Sequence, residues 1–313
     1  MRSVIVRAGM RLHLGFYRFS DPPFEYGGLG LAIEEPSLSV TLTDEGKAAL
    51  PGWVADIALR VLGEIGVPSN VGVEVEGFLD RHVGLGTTTR LMLSLLKAAY
   101  LMRGEAVDLP AMAWRFGRGR VSGVGVWTFI YGGIVVDSGR VPDMGRVPPP
   151  VSHAYFPPRW RAVIALPTVN GYSMSEVSEE PIMKKPLKHP KQDILYSAVA
   201  RLLSATHLGL FDEFVTSIEK IQELTGEYFS RWQGGIYCCE QSRALAERMK
   251  SLGLRGVGQS SWGPTVYGFT PTNEGAGEAA TELTAYMREV GIKGYVWVTR
   301  IARNGHTAKV LNR

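Results

Sequence analysis

Strand-like apolar runs occupy residues 3–7, 38–43 and 71–75, and between them residues 53–65 place apolar side chains every three to four positions, the period of an amphipathic helix. Residues 91–102 are apolar on almost every side, which predicts a helix buried between layers. The run 129–136 contains Gly132-Gly133 and predicts a strand with a bend or a close backbone approach. From 141 to 158 come Pro142, Pro148-Pro149-Pro150 and Pro157-Pro158, which neither continue a helix nor pair inside a sheet. A domain boundary falls there, giving residues 1–158 and 159–313. Beyond it the pattern predicts a strand at 162–166, helices near 192–206, 210–224 and 241–252, a strand at 265–269, a helix at 278–290 and a strand at 294–301. Strands flanking each helical passage indicate an α+β sandwich.

With 313 residues, 45% of them apolar, the chain can bury a full core and form two domains. Its longest apolar stretch is broken by Ser94 and Lys97 and falls short of the roughly 20 residues that a membrane span needs. The first residues read directly into a strand without the pattern of a signal peptide, so a cytoplasmic location is expected, with no membrane partner. A formal charge of +4 suits an anionic substrate and is too small to argue for nucleic acid. The basic run Lys184-Lys185-Pro186-Leu187-Lys188-His189-Pro190-Lys191 reads as a mobile solvated loop, the alternative being a cationic lid over a polyanion. Cys238 and Cys239 are adjacent on an apparent helix and lack metal-site spacing, which leaves them as packing residues.

Chemistry concentrates in His82-Val83-Gly84-Leu85-Gly86-Thr87-Thr88-Thr89-Arg90. Gly84 and Gly86 let backbone bend round a ligand, and Thr87, Thr88 and Thr89 offer hydroxyls and open amides at the positive end of a helix, where phosphate is the natural guest. The Gly-Lys-Thr/Ser ending of a Walker A loop is missing, and Thr89 replaces the third glycine of a dinucleotide fingerprint. A tight turn with a Thr cap explains the same residues equally well. Further glycine-dense segments lie at 8–15 with 26–33, at 117–125 and at 258–268.

Together with HVGLGTTT, the segments RLHLG (11–15), GRG-x-x-SG-x-G (117–125), GG-x-x-x-D (132–137), QGG-x-Y (233–237) and QSSWGPTVYG (259–268) resemble the ordered motifs of the GHMP kinase superfamily. Within it they are most similar to the family of β-ribofuranosylaminobenzene (or ribofuranosylhydroxybenzene) 5′-phosphate synthases. The resemblance runs nearly end to end. It implies a two-domain α+β fold, with an N-terminal domain like domain 2 of ribosomal protein S5 and a C-terminal ferredoxin-like α/β sandwich. It also implies decarboxylating ribosyl transfer from phosphoribosyl diphosphate to 4-hydroxybenzoate or 4-aminobenzoate, with Mg²⁺, in archaeal methanopterin biosynthesis. Two departures weaken the sister activity, ATP-dependent phosphorylation of a small molecule. Gly125 stands where many of these kinases carry a catalytic aspartate, and Gly9-Met10-Arg11 stands where Pro-Gly-Lys is common.

In this frame Arg11, Arg118 and Arg120 are expected to clamp phosphate or the benzoate carboxylate, as guanidinium offers paired donors in a fixed plane. His13 is the candidate to deprotonate the phenol or shuttle a proton, the alternative being a core histidine. Gly84, Gly86, Thr87, Thr88 and Thr89 are assigned to the diphosphate. Ser122, Gln233, Gln259, Ser260, Ser261, Trp262 and Thr265 are further substrate-binding candidates, with Trp262 placed to stack on an arene. Asp137 and Glu176 are candidate magnesium ligands. The sequence leaves the oligomeric state open, a homodimer included.

Overall fold

The computed structural model describes residues 2–46, 50–169 and 182–312. Two 20-residue strands, β1 (Arg2–Asp21) and β2 (Phe24–Thr43), form a long antiparallel hairpin whose register runs from Ser3 opposite Thr43 to Asp21 opposite Phe24. Val4, Val6, Ala8, Met10, Leu12 and Leu14 are buried, so every second residue of β1 faces the core. The remaining strands of this sheet are β3 (Gly72–Gly77), β4 (Ile134–Asp137), β5 (Pro150–Ala154) and β10 (Thr307–Asn312). Its order is β10-β1-β2-β4-β5, with β3 paired to the C-terminal half of β2. Helix α2 (Thr87–Arg103) packs on β1 and β2, and α1 (Gly52–Glu64), α3 (Leu109–Arg115) and α4 (Val124–Tyr131) flank it. Leu91, Met92, Leu93, Leu95 and Leu96 are all buried, which is why this helix is apolar around its circumference.

The second sheet is four-stranded, in the order β7 (Arg255–Gln259), β8 (Val266–Thr270), β6 (Arg161–Pro167) and β9 (Gly294–Thr299). Helices α7 (Glu240–Ser251) and α8 (Asn273–Glu289) enclose a separate core on one face, built on Val163, Leu245, Met249, Val266 and Leu283. On the other side α5 (Gln192–Leu208) and α6 (Phe211–Gln233) lie between the sheets. The α6 side chain of Gln222 ties them, its amide donating to Leu14 O of β1 at 2.7 Å and its oxygen accepting from Gln259 N of β7 at 2.9 Å. This is the α+β fold, with two lobes.

Several elements differ from the sequence pattern. Phe129 and Ile130 belong to α4, and the strand begins only at Ile134, because Gly132 and Gly133 (φ +74° and +58°) turn the chain between them. Helix α6 continues to Gln233. Cys238 and Cys239 precede α7, with Cys239 as its N-cap in an extended conformation. The last strand, β10, pairs with β1, so residues beyond 159 contribute to the first sheet. The basic run is anchored at its end, where His189 is buried and stacked 5.4 Å from Phe19 and Lys191 pairs with Glu227 at 3.2 Å, while Lys184, Lys185 and Lys188 are exposed. No helix among the described residues is long and apolar enough to cross a membrane.

Candidate active site between the two sheets

The register shift of β1 between Gly9 and Arg11 turns the Arg11 amide out of the ladder, and it donates to Leu85 O at 3.1 Å. This draws the glycine loop onto the strand. Gly84 and Gly86 take φ of +88° and +72°, the left-handed region that glycine enters without strain. The Arg11 guanidinium donates to Gly84 O. From the other lobe, Ser260 Oγ donates to the same carbonyl at 2.6 Å and Thr265 Oγ1 donates to Val83 O at 2.6 Å. A Cβ on Gly263 would stand 2.0 Å from the Val83 carbonyl carbon, and one on Gly84 would stand 2.2 Å from Ser260 O. The turn 259–265 is therefore keyed into the glycine loop at backbone contact. Ser260 and Thr265 are fully buried and engaged there, so they hold the loop rather than face a ligand, contrary to their assignment from sequence.

Between these loops lies a cavity of about 370 Å³. The N-terminal turn of α2 opens into it through Gly86, Thr87, Thr88 and Thr89, and no side chain caps that helix. Unsatisfied amides and the helix dipole make this end attractive to an anion. The Thr87 hydroxyl donates to Asp80 O at 2.7 Å, so Thr88 and Thr89 present the hydroxyls while Thr87 contributes backbone. Arg11, Arg118 and Arg120 line the walls, and no Asp or Glu does so among the described residues. The Arg120 guanidinium lies 4.6 Å over the Trp114 ring, which fixes its plane. Ser122, Ser261, Trp262 and Gly263 complete the wall, together with Phe16, His82, Gly125 and Met183, to which the sequence had assigned no role. None of the lysines of the basic run lines it, although Met183, which immediately precedes the run, does.

A second hollow of about 40 Å³ shares His13, Phe16, Ser261 and Trp262 with the first. Gln233 and Gln259 line this annex and not the main cavity. The Gln259 amide donates to Ser261 O at 2.9 Å and its oxygen accepts from Cys238 N at 2.7 Å, which supports the turn carrying Ser261 at φ +56°. Trp262 is buried edge-on against Phe229, with ring centroids 4.5 Å apart.

Asp137 does not fit a metal ligand. Its Oδ1 accepts from Gly28 N (2.8 Å) and Gly139 N (2.9 Å), and its Oδ2 from Ser122 Oγ (2.7 Å) and Gly123 N (2.7 Å). All four lone-pair positions are filled. Burial pushes the carboxyl up to about 6 while the four donors pull it down, leaving a carboxylate at neutral pH. This group takes up the Gly123 amide at the start of α4, whereas the start of α2 is left open to the cavity. Glu176 lies outside the described residues, among which no group of three or more His, Cys, Asp or Glu could hold a metal.

His13 is a weak base in these surroundings. Burial, assisted by the charge of Arg11, lowers its imidazole to about 3. Its Nδ1 accepts from Gly15 N at 3.2 Å, so the proton of the neutral ring sits on Nε2 and His13 meets a ligand as a donor.

Two proteins from archaea align over nearly the whole chain. One, from Archaeoglobus fulgidus, is 29% identical over 298 residues, covering 89% of this chain and 90% of its own; the other, from Methanothermobacter thermautotrophicus, is 28% identical over 301 residues, covering 87% and 90%. Each is named β-ribofuranosylphenol 5′-phosphate synthase. The chain is a relative of the β-ribofuranosylphenol 5′-phosphate synthases. No family model matches it. Among solved structures, homoserine kinase from Cytophaga hutchinsonii superimposes with a TM-score of 0.68 at 17% identity, covering 98% of this chain and 97% of that one. The fold is thus GHMP-kinase-like, shared with that kinase. At such identity the kinase speaks for architecture alone.

Proposed function

We propose that the chain catalyses decarboxylating C-ribosyl transfer from phosphoribosyl diphosphate to a para-substituted benzoate, releasing CO₂ and diphosphate, in the methanopterin pathway. The observation that carries this is a cavity with three guanidinium groups, an uncapped helix N-terminus and no lining carboxylate among the described residues. Such a wall stabilises a leaving diphosphate by fixed positive charge. Among the described residues it offers no carboxylate to activate an accepting hydroxyl, the function an aspartate serves in many kinases of this fold, and Gly125 lies in the cavity wall where that residue would stand.

The diphosphate lies on the amides of Thr87, Thr88 and Thr89, with Arg11 beside it. As the C1–oxygen bond of the ribosyl group breaks, the ring carbon that bears the carboxylate attacks C1. The new C–C bond forms, the carboxyl group departs as CO₂, and the electron pair of that bond restores the aromatic ring. No proton transfer at the ring carbon is required, so the site needs no strong base. Arg118 and Arg120 hold the 5′-phosphate or the carboxylate. Trp262 and Phe16 border the arene, and His13 Nε2–H donates to a substrate oxygen. Mg²⁺ bound to the phosphoribosyl diphosphate would supply neutralising charge to the leaving group, since no carboxylate of the described residues faces the cavity to hold the ion by itself. The phenol in the names of the relatives favours 4-hydroxybenzoate over 4-aminobenzoate.

Purified protein given phosphoribosyl diphosphate, Mg²⁺ and 4-hydroxybenzoate should release diphosphate only when the benzoate is present. Conversion of ATP to ADP with a small-molecule alcohol, and no release from phosphoribosyl diphosphate, would establish the kinase instead.

A further inference from the structure

Arg90, in the first turns of α2 directly behind the Thr87–Thr89 wall, is fully buried. Its guanidinium meets only neutral groups: Nη2 donates to Thr128 Oγ1 at 3.0 Å and Met10 O at 3.4 Å, and Nη1 to Gly125 O at 3.4 Å. Nε has no partner, and the Phe129 ring lies 5.7 Å from the guanidinium carbon. No carboxylate among the described residues forms an ion pair with it. A second cation, Arg11, is close enough to act on it electrostatically: burial first and Arg11 next lower Arg90 to about 9, which leaves it charged at neutral pH.

A buried guanidinium without a counter-charge is expensive to the fold, and replacing such a group by an apolar one of similar volume is commonly neutral or stabilising. One of these neutral contacts, Gly125, forms part of the cavity wall, and another, Met10, immediately precedes Arg11, which also lines it. Low-dielectric surroundings carry its field through that wall with little screening. We propose that Arg90 is a buried positioning charge for the anion cavity, whose counter-ion is the ligand itself, a diphosphate or diphosphate ester of high negative charge. Thr128 keeps its own hydrogen bond to Val124 O at 2.6 Å without Arg90, so the loss of the guanidinium strands few polar groups. A plain structural staple between α2 and α4 would be a net contributor to stability; a charge awaiting an anion is not.

This deepens the reading of the same cavity, and the probes are chosen to separate the two. Inorganic diphosphate and inorganic phosphate are titrated calorimetrically into the native protein and into Arg90→Met and Arg90→Lys variants, with thermal unfolding of each free protein. Arg90→Met should unfold at the same or a higher temperature, yet bind diphosphate about tenfold or more weakly, with a smaller loss for phosphate. Arg90→Lys should retain most of the diphosphate affinity. If Arg90→Met fails to fold, Arg90→Gln, which can still bond Thr128, carries the same expectation. Native diphosphate affinity in a neutral variant, or a native protein that binds neither anion, overturns the proposal. Weakened diphosphate binding with no ribosyl transfer by the native protein would leave Arg90 in place and remove the transferase reading instead.

Discussion

Both Asp137 oxygens are saturated by donors from three separate segments, at Gly28, at Ser122-Gly123 and at Gly139. Asparagine there would turn an NH₂ toward two of those donors. We expect Asp137→Asn to cost about 3 kcal/mol or more in unfolding free energy, while the dependence of turnover on Mg²⁺ concentration in the folded fraction stays native. A shifted Mg²⁺ dependence without loss of stability would return Asp137 to the metal. His13 gives a test by pH. Its folded value near 3 lies below the unfolded 6.5, so the folded state requires the neutral ring. Its contribution is fully present above 6.5 and falls as pH drops toward 3, by about 1.4 kcal/mol per unit. Urea unfolding of the native protein and His13→Gln should therefore show their stability difference shrinking by about 2 kcal/mol between pH 7 and pH 5. A difference independent of pH would show that His13 is not a buried neutral ring. The sequence already offered the core-histidine reading of His13, whereas the donors that saturate Asp137 come from segments that no local pattern brings together.

At the level of elements, the glycine loop and the start of α2 were legible because their chemistry is local: left-handed glycines followed by three threonines feeding an apolar helix. The element facing them was misread, and for a physical reason. Ser260 and Thr265 resemble ligand hydroxyls, yet they bond Gly84 and Val83, more than 170 residues away in the chain. Nothing local in QSSWGPT distinguishes a hydroxyl aimed at a phosphate from one aimed at a carbonyl. The interlock predicts that Gly263→Ala separates the two loops, since its Cβ would overlap the Val83–Gly84 peptide. We expect a KM for phosphoribosyl diphosphate raised tenfold or more on the order-of-magnitude scale of a displaced site, together with a lowered melting temperature. Native kinetics in that variant would dissolve the interlock.

For the molecule as a whole, the sequence pattern captured the α+β class and most helices, but not the hairpin on which everything is hung. Strand β1 runs through Gly9 and Gly15 with three register shifts against β2, which interrupt the alternation that marks a strand. Strand β10 is exposed along its length and carries no apolar period, although it closes the edge of β1. Arg90 was hidden because a charge after GLGTTT reads as a surface group until the helix is packed. Once folded, the two lobes converge on one cationic cavity through Arg11, the α2 terminus and the turn at 259–265.

The central claim is that this cavity joins ribose to an arene through carbon while the carboxyl group leaves. Its most direct test is a ¹³C NMR experiment with donor labelled at ribose C1 and 4-hydroxybenzoate labelled at the carboxyl carbon. The anomeric carbon should become bonded to the ring carbon para to the hydroxyl, with one labelled CO₂ released for each product formed. A product that keeps its carboxyl label, with ribose joined through oxygen or with no ribosyl transfer at all, would contradict it.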